Sequence, residues 1–150
     1  MPQSLVKNLV HIVFSTKNRQ RFIDEGIESE LFQYFNRIIE KNGSRMIIAG
    51  AYDDHVHILC SLGKYTLIPD LVGAIKRSTS VWIKRKGRKY RSFYWQGGYG
   101  AFSVGQSQVP QVTAYIRNQR KHHATVDFQT EYRQLLDRYE LDYDERYVWD

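Results

Sequence analysis

Two histidines one residue apart, His55 and His57, are the first side chains in this sequence whose type and spacing could do chemistry. They stand in the stretch Tyr52–Leu62, where aliphatic and β-branched residues alternate with others as in a β-strand. A period of two puts His55, His57 and Leu59 on one face and Val56, Ile58, Cys60 and Leu62 on the other. The second face is apolar and reads as the core side. Two imidazoles then lie side by side on the opposite face and can address one object, such as a divalent cation. Spacing alone leaves metal binding and simple packing both open.

A second pair comes later. Tyr115 and Gln119 are four residues apart in a segment that reads as a helix, starting near Ser107 or Pro110 and running to His123. Residues at that spacing share a helical face, so a phenol and an amide point the same way. A helical tyrosine also packs readily, and the pair by itself assigns no reaction.

Charge supplies the third clue. Formal net charge is +6, but no acidic residue falls between Asp70 and Asp127. That interval carries eleven positive charges: Lys76, Arg77, Lys84, Arg85, Lys86, Arg88, Lys89, Arg91, Arg117, Arg120 and Lys121. The rest of the chain holds 11 basic and 16 acidic residues. Basic residues gathered in this way, interleaved with Tyr90, Phe93, Tyr94 and Trp95, suit a partner made of phosphates and unstacked bases. Lys84, Arg85, Lys86, Arg88, Lys89 and Arg91, with Arg117, Arg120 and Lys121 flanking Tyr115, are the candidate nucleic-acid contacts.

Elements must position these groups. Leu5–Thr16 reads as a first strand, with His11 taken as structural. A helix follows from about Glu28 to Lys41, with Leu31, Phe35, Ile38 and Ile39 as its apolar stripe and Asn42-Gly43 as its stop. Arg45–Ala51 is a second strand. It forms a hairpin with the histidine strand through Tyr52-Asp53-Asp54, and both aspartates read as turn residues. A second helix opens at Ile68-Pro69-Asp70 and runs to about Arg85. Phe93-Tyr94-Trp95 and Tyr99–Val104 are short extended pieces. A last helix spans Phe128–Tyr139, with Tyr132, Leu135 and Leu136 inward.

The order strand, helix, strand, strand, helix, strand defines an α+β fold, a ferredoxin-like antiparallel βαββαβ sheet with its helices on one face. The histidine face is left uncovered by those two helices. An additional C-terminal helix, the one bearing Tyr115, is the candidate to complete it. At 150 residues the chain is expected to be one domain, 1–150. No apolar run is long enough to cross a bilayer, no secretory signal pattern opens the chain, and Cys60 has no disulfide partner, so a cytoplasmic location is expected.

His55-Val56-His57, Tyr99–Val104 and Tyr115-Ile116-Arg117-Asn118-Gln119-Arg120-Lys121-His122-His123 occur in an order and spacing that closely resemble the single-tyrosine transposases of the histidine-hydrophobic-histidine superfamily. These are the compact transposases of small bacterial insertion sequences and their palindrome-associated relatives. The resemblance covers roughly residues 5 to 123. It implies His55, His57 and Gln119 as metal ligands and Tyr115 as the nucleophile. It also implies a divalent ion, magnesium or manganese, and single-stranded DNA with hairpins as substrate. A homodimer is implied too, with the Tyr115 helix facing either its own histidines or a partner's.

Under that resemblance Tyr115 attacks a phosphodiester, leaving a 5′-phosphotyrosine and a free 3′-hydroxyl. Two imidazoles and an amide are a neutral set, so the ion keeps its charge for the phosphate, and nitrogen donors favour manganese over magnesium. A phenol with an ordinary pKa of about 10 needs help losing its proton. The acid-free interval favours phenolate, and no general base is identified. His122 and His123 read as DNA contacts or helix-end cations. The alternative function is a non-catalytic module, a ferredoxin-like sheet binding single-stranded nucleic acid without need of Tyr115, Gln119 or the histidine pair.

Overall fold

The computed structural model describes residues 1–150. Its centre is a four-stranded antiparallel sheet ordered β2-β3-β1-β4, formed by β1 (Asn8–Ser15), β2 (Arg45–Tyr52), β3 (His55–Leu62) and β4 (Gly100–Val104). Two long helices, α1 (Glu25–Lys41) and α2 (Ile68–Lys84), alternate with the strands in the expected βαββαβ order. Val10, Ile12 and Phe14 of β1 and Val56, Ile58, Cys60 and Leu62 of β3 join the inward stripes of both helices in the main core. Period-two alternation then sends His11, Val13, His55, His57 and Leu59 to the other face.

The ends of α1 follow from local chemistry. Asp24 accepts a hydrogen bond from the Ile27 backbone N–H, so the helix starts at Glu25, earlier than the apolar stripe suggests. It stops where Gly43 takes a φ of 80°. Pro69 sits in the first turn of α2, where its missing N–H costs nothing. Phe93–Trp95 makes only one isolated bridge, Thr16 to Trp95, and is not a strand of the sheet.

Three further helices cover the histidine face: α3 (Val109–Arg117), α4 (Gln119–His122) and α5 (Phe128–Arg138). The sequence predicts one continuous helix through His123, but the chain bends at Asn118, at φ −96° and ψ 22°. The close seating of α3 on β2 depends on Gly50. A Cβ there would lie 2.0 Å from the Ile116 carbonyl oxygen. Phe128, Tyr132, Leu135 and Leu136 of α5 pack with Val13 and Phe102 as a second apolar cluster. Leu9, Leu59, Val104 and Ile116 form a third beneath α3. The sheet is therefore a middle layer, and its polar histidine face is enclosed rather than solvated.

Candidate metal and nucleophile site

His55 and His57 open β3, across the ladder from Ser15 and Val13 of β1, and both are fully buried. Each ring is held by the nitrogen that faces away from the centre. His55 Nδ1 is 2.7 Å from Asp54 Oδ1, and His57 Nδ1 is 2.8 Å from His11 Nε2. Anchoring one imidazole nitrogen fixes ring orientation and directs the other, and second partners of this kind accompany metal-bound histidines. Both Nε2 atoms consequently point into the space beneath α3–α5. Asp54, a turn residue by sequence, orients His55, and His11 does the same for His57.

Gln119 reaches the same space, with Oε1 3.2 Å from His55 Nε2. The bend at Asn118 does not carry it away, because its amide nitrogen donates to the Tyr115 carbonyl oxygen. The Tyr115 ring stands edge-on to His57, with centroids 5.7 Å apart. Thus the four expected groups, His55, His57, Tyr115 and Gln119, meet within one chain.

Two residues join them that the sequence reading placed elsewhere or passed over. Glu131, on the buried face of α5, puts Oε1 3.0 Å from His57 Nε2 and 3.3 Å from His55 Nε2. Its Oε2 accepts the Tyr115 hydroxyl. His123 is buried, not a free cation at a helix end. Its Nδ1 donates to the Val126 carbonyl oxygen at 2.5 Å, and its Nε2 lies 3.0 Å from Glu131 Oε1. That last approach has no hydrogen-bond geometry, so His123 Nε2 is a buried polar atom without a partner. With one proton on Nδ1, Nε2 faces the Glu131 carboxylate, and either a second ring proton or a cation between them would satisfy both groups.

Donor atoms of His55, His57, His123 and Glu131 all lie within 4.8 Å of one another, so the cluster could hold a metal ion. Three imidazole nitrogens with anchored far sides, one carboxylate and the adjacent amide fit a divalent transition metal by donor type. The carboxylate gives this set a negative charge that the expected set of two histidines and a glutamine lacks.

Electrostatics follow the enclosure. Burial alone would lower the His55 pKa, yet Asp54 and Glu131 raise it to about 9. His57 is lowered because burial outweighs Glu131. His11 falls to about 3 through burial and its neighbour His57. Burial would raise Glu131, but His57, His123 and His55 hold it well below the carboxylate range. Tyr115 is raised by burial and then by Glu131, which reverses the acid-free setting read from the sequence. α5 brings the acid that the neighbouring sequence lacks.

The basic residues divide. Arg120 donates to Glu28 at 2.6 Å, Asp53 at 2.9 Å and the Ile23 carbonyl at 3.0 Å, so its guanidinium is engaged within the chain. Lys86 pairs with Glu30 at 2.8 Å and Lys89 with Asp24 at 3.0 Å. Arg85, Arg88, Arg91, Arg117 and Lys121 are exposed, and Lys84 rests on the Tyr94 ring. No helix is long and apolar enough to cross a membrane.

A ferredoxin-like sheet that presents a His-x-His pair to a helix carrying one tyrosine defines the single-tyrosine class of histidine-hydrophobic-histidine transposases. Residues 4–119 match the sequence profile of the family described as "Transposase IS200 like", and the chain belongs to that family. The ISDra2 transposase TnpA of Deinococcus radiodurans is 25% identical over 114 residues, covering 73% of this chain and 81% of that protein. The crystal structure of a putative transposase from Deinococcus radiodurans R1 superposes with a TM-score of 0.62 at 23% identity, over 79% of this chain and 98% of that one. A REP-associated tyrosine transposase bound to a REP hairpin gives the same TM-score at 12% identity, over 84% of this chain and 74% of the other.

Proposed function

We propose that this transposase cuts and rejoins single-stranded DNA beside hairpins, with Tyr115 as nucleophile and a divalent ion held by His55, His57, Glu131, His123 and Gln119. The observation that carries the reading is the convergence of the Tyr115 hydroxyl and two strand imidazoles on one carboxylate. A bound ion would polarise the scissile phosphate and neutralise charge developing on its oxygens. Manganese suits the nitrogen-rich donors better than magnesium does.

The chain's own groups supply the rest. Tyr115 Oη forms the bond to phosphorus as the bond from phosphorus to the 3′-oxygen breaks, and that oxygen leaves as a 3′-hydroxyl after taking a proton from solvent. The hydrogen bond to Glu131 Oε2 orients the phenol, and its proton is released to solvent as the bond to phosphorus forms. The 5′-phosphotyrosine conserves the ester, so a 3′-hydroxyl from another strand can displace Tyr115 and join ends without ATP. Arg85, Arg88, Arg91, Arg117 and Lys121 are free to hold backbone phosphates, with Lys84, Lys86, Lys89 and Arg120 contributing as their present partners allow. Support for hairpin DNA as substrate comes from the fold shared with a hairpin-bound relative. A homodimer belongs to the same reading, with the Tyr115 helix facing either its own histidines, as α3 does in this chain, or a partner's.

A labelled hairpin oligonucleotide incubated with the protein and manganese should give a covalent adduct on a denaturing gel. Tyr115→Phe should abolish the adduct and keep DNA binding. Should that variant form adduct at the wild-type level, Tyr115 is not the nucleophile. Binding without any adduct from the wild-type protein would leave the non-catalytic module.

A further inference from the structure

The turn Lys17–Arg19, leading out of β1, holds Asn18 and Arg19 both at φ 56°. Two consecutive non-glycine residues in the left-handed region are uncommon, and the surroundings must impose them. The turn is fixed from both sides: Lys17 N–H donates to the Tyr94 carbonyl at 2.8 Å and Arg19 N–H to that of Thr16 at 3.0 Å. Strain kept in an exposed basic turn points to a position that matters.

Lys17 and Asn18 border a cleft of about 500 Å³ whose walls include Tyr94 and Trp149. Tyr94 is 56% exposed, a large apolar area for a residue that shields no core. Lys84 Nζ lies 3.9 Å and Lys17 Nζ 5.9 Å from the centre of its ring. Arg19 and Arg133 lie 5.7 and 5.0 Å from the Trp149 ring. Trp149 is held in place by its Nε1–H, which donates to Glu145 at 3.0 Å. Fixed rings bearing cations beside an open cleft have the composition of a platform for unstacked bases. The cleft also carries Asp150, whose backbone carbonyl is already taken by Gly98 N–H and the Gln96 side chain.

Its position connects it to the metal cluster. Trp149 packs on Phe128 at 6.3 Å between centroids, and Phe128 on His55 at 4.6 Å. The cleft therefore lies one aromatic ring beyond the residue Phe128, on the His55 side of the centre. We infer that the cleft between Tyr94 and Trp149 is a second DNA subsite, which takes an unpaired base of the strand running from the cleavage centre while Lys17, Arg19 and Lys84 hold its phosphates. The inference rests on the reading that the chain handles single-stranded DNA, and adds a place that the nucleophile and metal residues do not provide.

The test uses the full chain and a hairpin oligonucleotide with a single-stranded arm, followed by fluorescence anisotropy. Tyr94→Ala should weaken binding roughly ten-fold, since stacking of one base contributes that much, and Tyr94→Phe should restore it. 2-Aminopurine walked along the arm should be quenched by the wild-type protein at one position and not by Tyr94→Ala. Lys17→Ala, which leaves both rings in place, should lower the slope of log K against log salt by about one. Wild-type affinity in Tyr94→Ala, or uniform quenching along the arm, overturns the subsite alone. Failure of the wild-type protein to bind any single-stranded DNA overturns the functional reading itself.

Discussion

The Tyr115 hydroxyl donates to Glu131 Oε2 while Glu131 Oε1 lies 3.0 Å from His57 Nε2. One carboxylate thus ties the Tyr115 hydroxyl to the histidine cluster, with one oxygen facing each. The same carboxylate belongs to the cluster that could hold a metal ion, and His123 joins it through an Nε2 that has no other partner. Calorimetric titration with manganese separates this set from the smaller His55–His57–Gln119 set. Glu131→Ala and His123→Ala should each weaken manganese binding at least about ten-fold, because even partners one step removed from a metal change affinity by that factor. Unchanged affinity in both, with a loss only in Gln119→Ala, would return the centre to the smaller set.

The periods of their elements placed His55 with His57 and Tyr115 with Gln119 on shared faces, while the resemblance to the transposase family joined the two pairs into one site. Which face of β3 was polar, and that something later must cover it, came from the same alternation. The βαββαβ order followed from apolar periodicity and turn residues. Glu131 was not legible as a site residue: it lies 74 positions from His57, and no local spacing encodes that distance. One signal did exist. Glu131 falls three residues after Phe128 and four before Leu135, on the apolar stripe of α5, and an acid there must be paired when buried. His123 was misplaced because a histidine beside Lys121 looks like a helix-end cation. The helix instead ends at His122, and the Val126 carbonyl turns the next ring inward. The bend at Asn118 was invisible because no glycine or proline marks it between Gln111 and His123.

Arg120 belongs by sequence to the basic set flanking Tyr115, yet its guanidinium joins α4 to α1 and to the β2–β3 turn. Hydrogen bonds between charged groups contribute about 1.5–3 kcal/mol when enclosed, and less at a half-exposed site such as this. Arg120→Ala should therefore lower stability by about 1–2 kcal/mol in urea titration. It should barely alter the salt dependence of DNA binding. Lys121→Ala should behave in the opposite way, leaving stability intact and reducing the salt slope by about one. Equal effects of the two on the salt slope would make Arg120 a phosphate contact after all.

Gly50 sets how closely α3 approaches β2. A methyl group there would meet the Ile116 carbonyl oxygen at 2.0 Å and its carbon at 2.9 Å, and backbone atoms cannot yield as a side-chain tip can. Gly50→Ala should push α3 outward, taking Tyr115 and Gln119 from the histidines. A cost of about 1–3 kcal/mol is expected from overpacking, together with weakened manganese binding although no donor has been changed. Gly63→Ala is a useful control, since it clashes at the distant Gly43 carbonyl and should cost stability without selectively affecting the metal. If Gly50→Ala binds manganese as the wild-type protein does, helix seating does not set the geometry of the centre.

Cys60 reports on the same strand from its other side. It is fully buried in the main core, three residues beyond His57, and burial pushes its thiol up to about 12. The thiolate is the reactive form, so alkylation at pH 8 should be slower than in the unfolded chain by a factor on the order of 100 or more. Reaction in the native protein then requires β3 to open, and its rate measures that opening. An ion bound across the strand by His55 and His57 stabilises only the closed form. At a manganese concentration about 100 times Kd, opening should become rarer by about the same factor. Alkylation of Cys60 should slow accordingly in the wild-type protein and not in His57→Ala. An alkylation rate indifferent to manganese in the wild-type protein would mean that no ion bridges this strand to the helices above it.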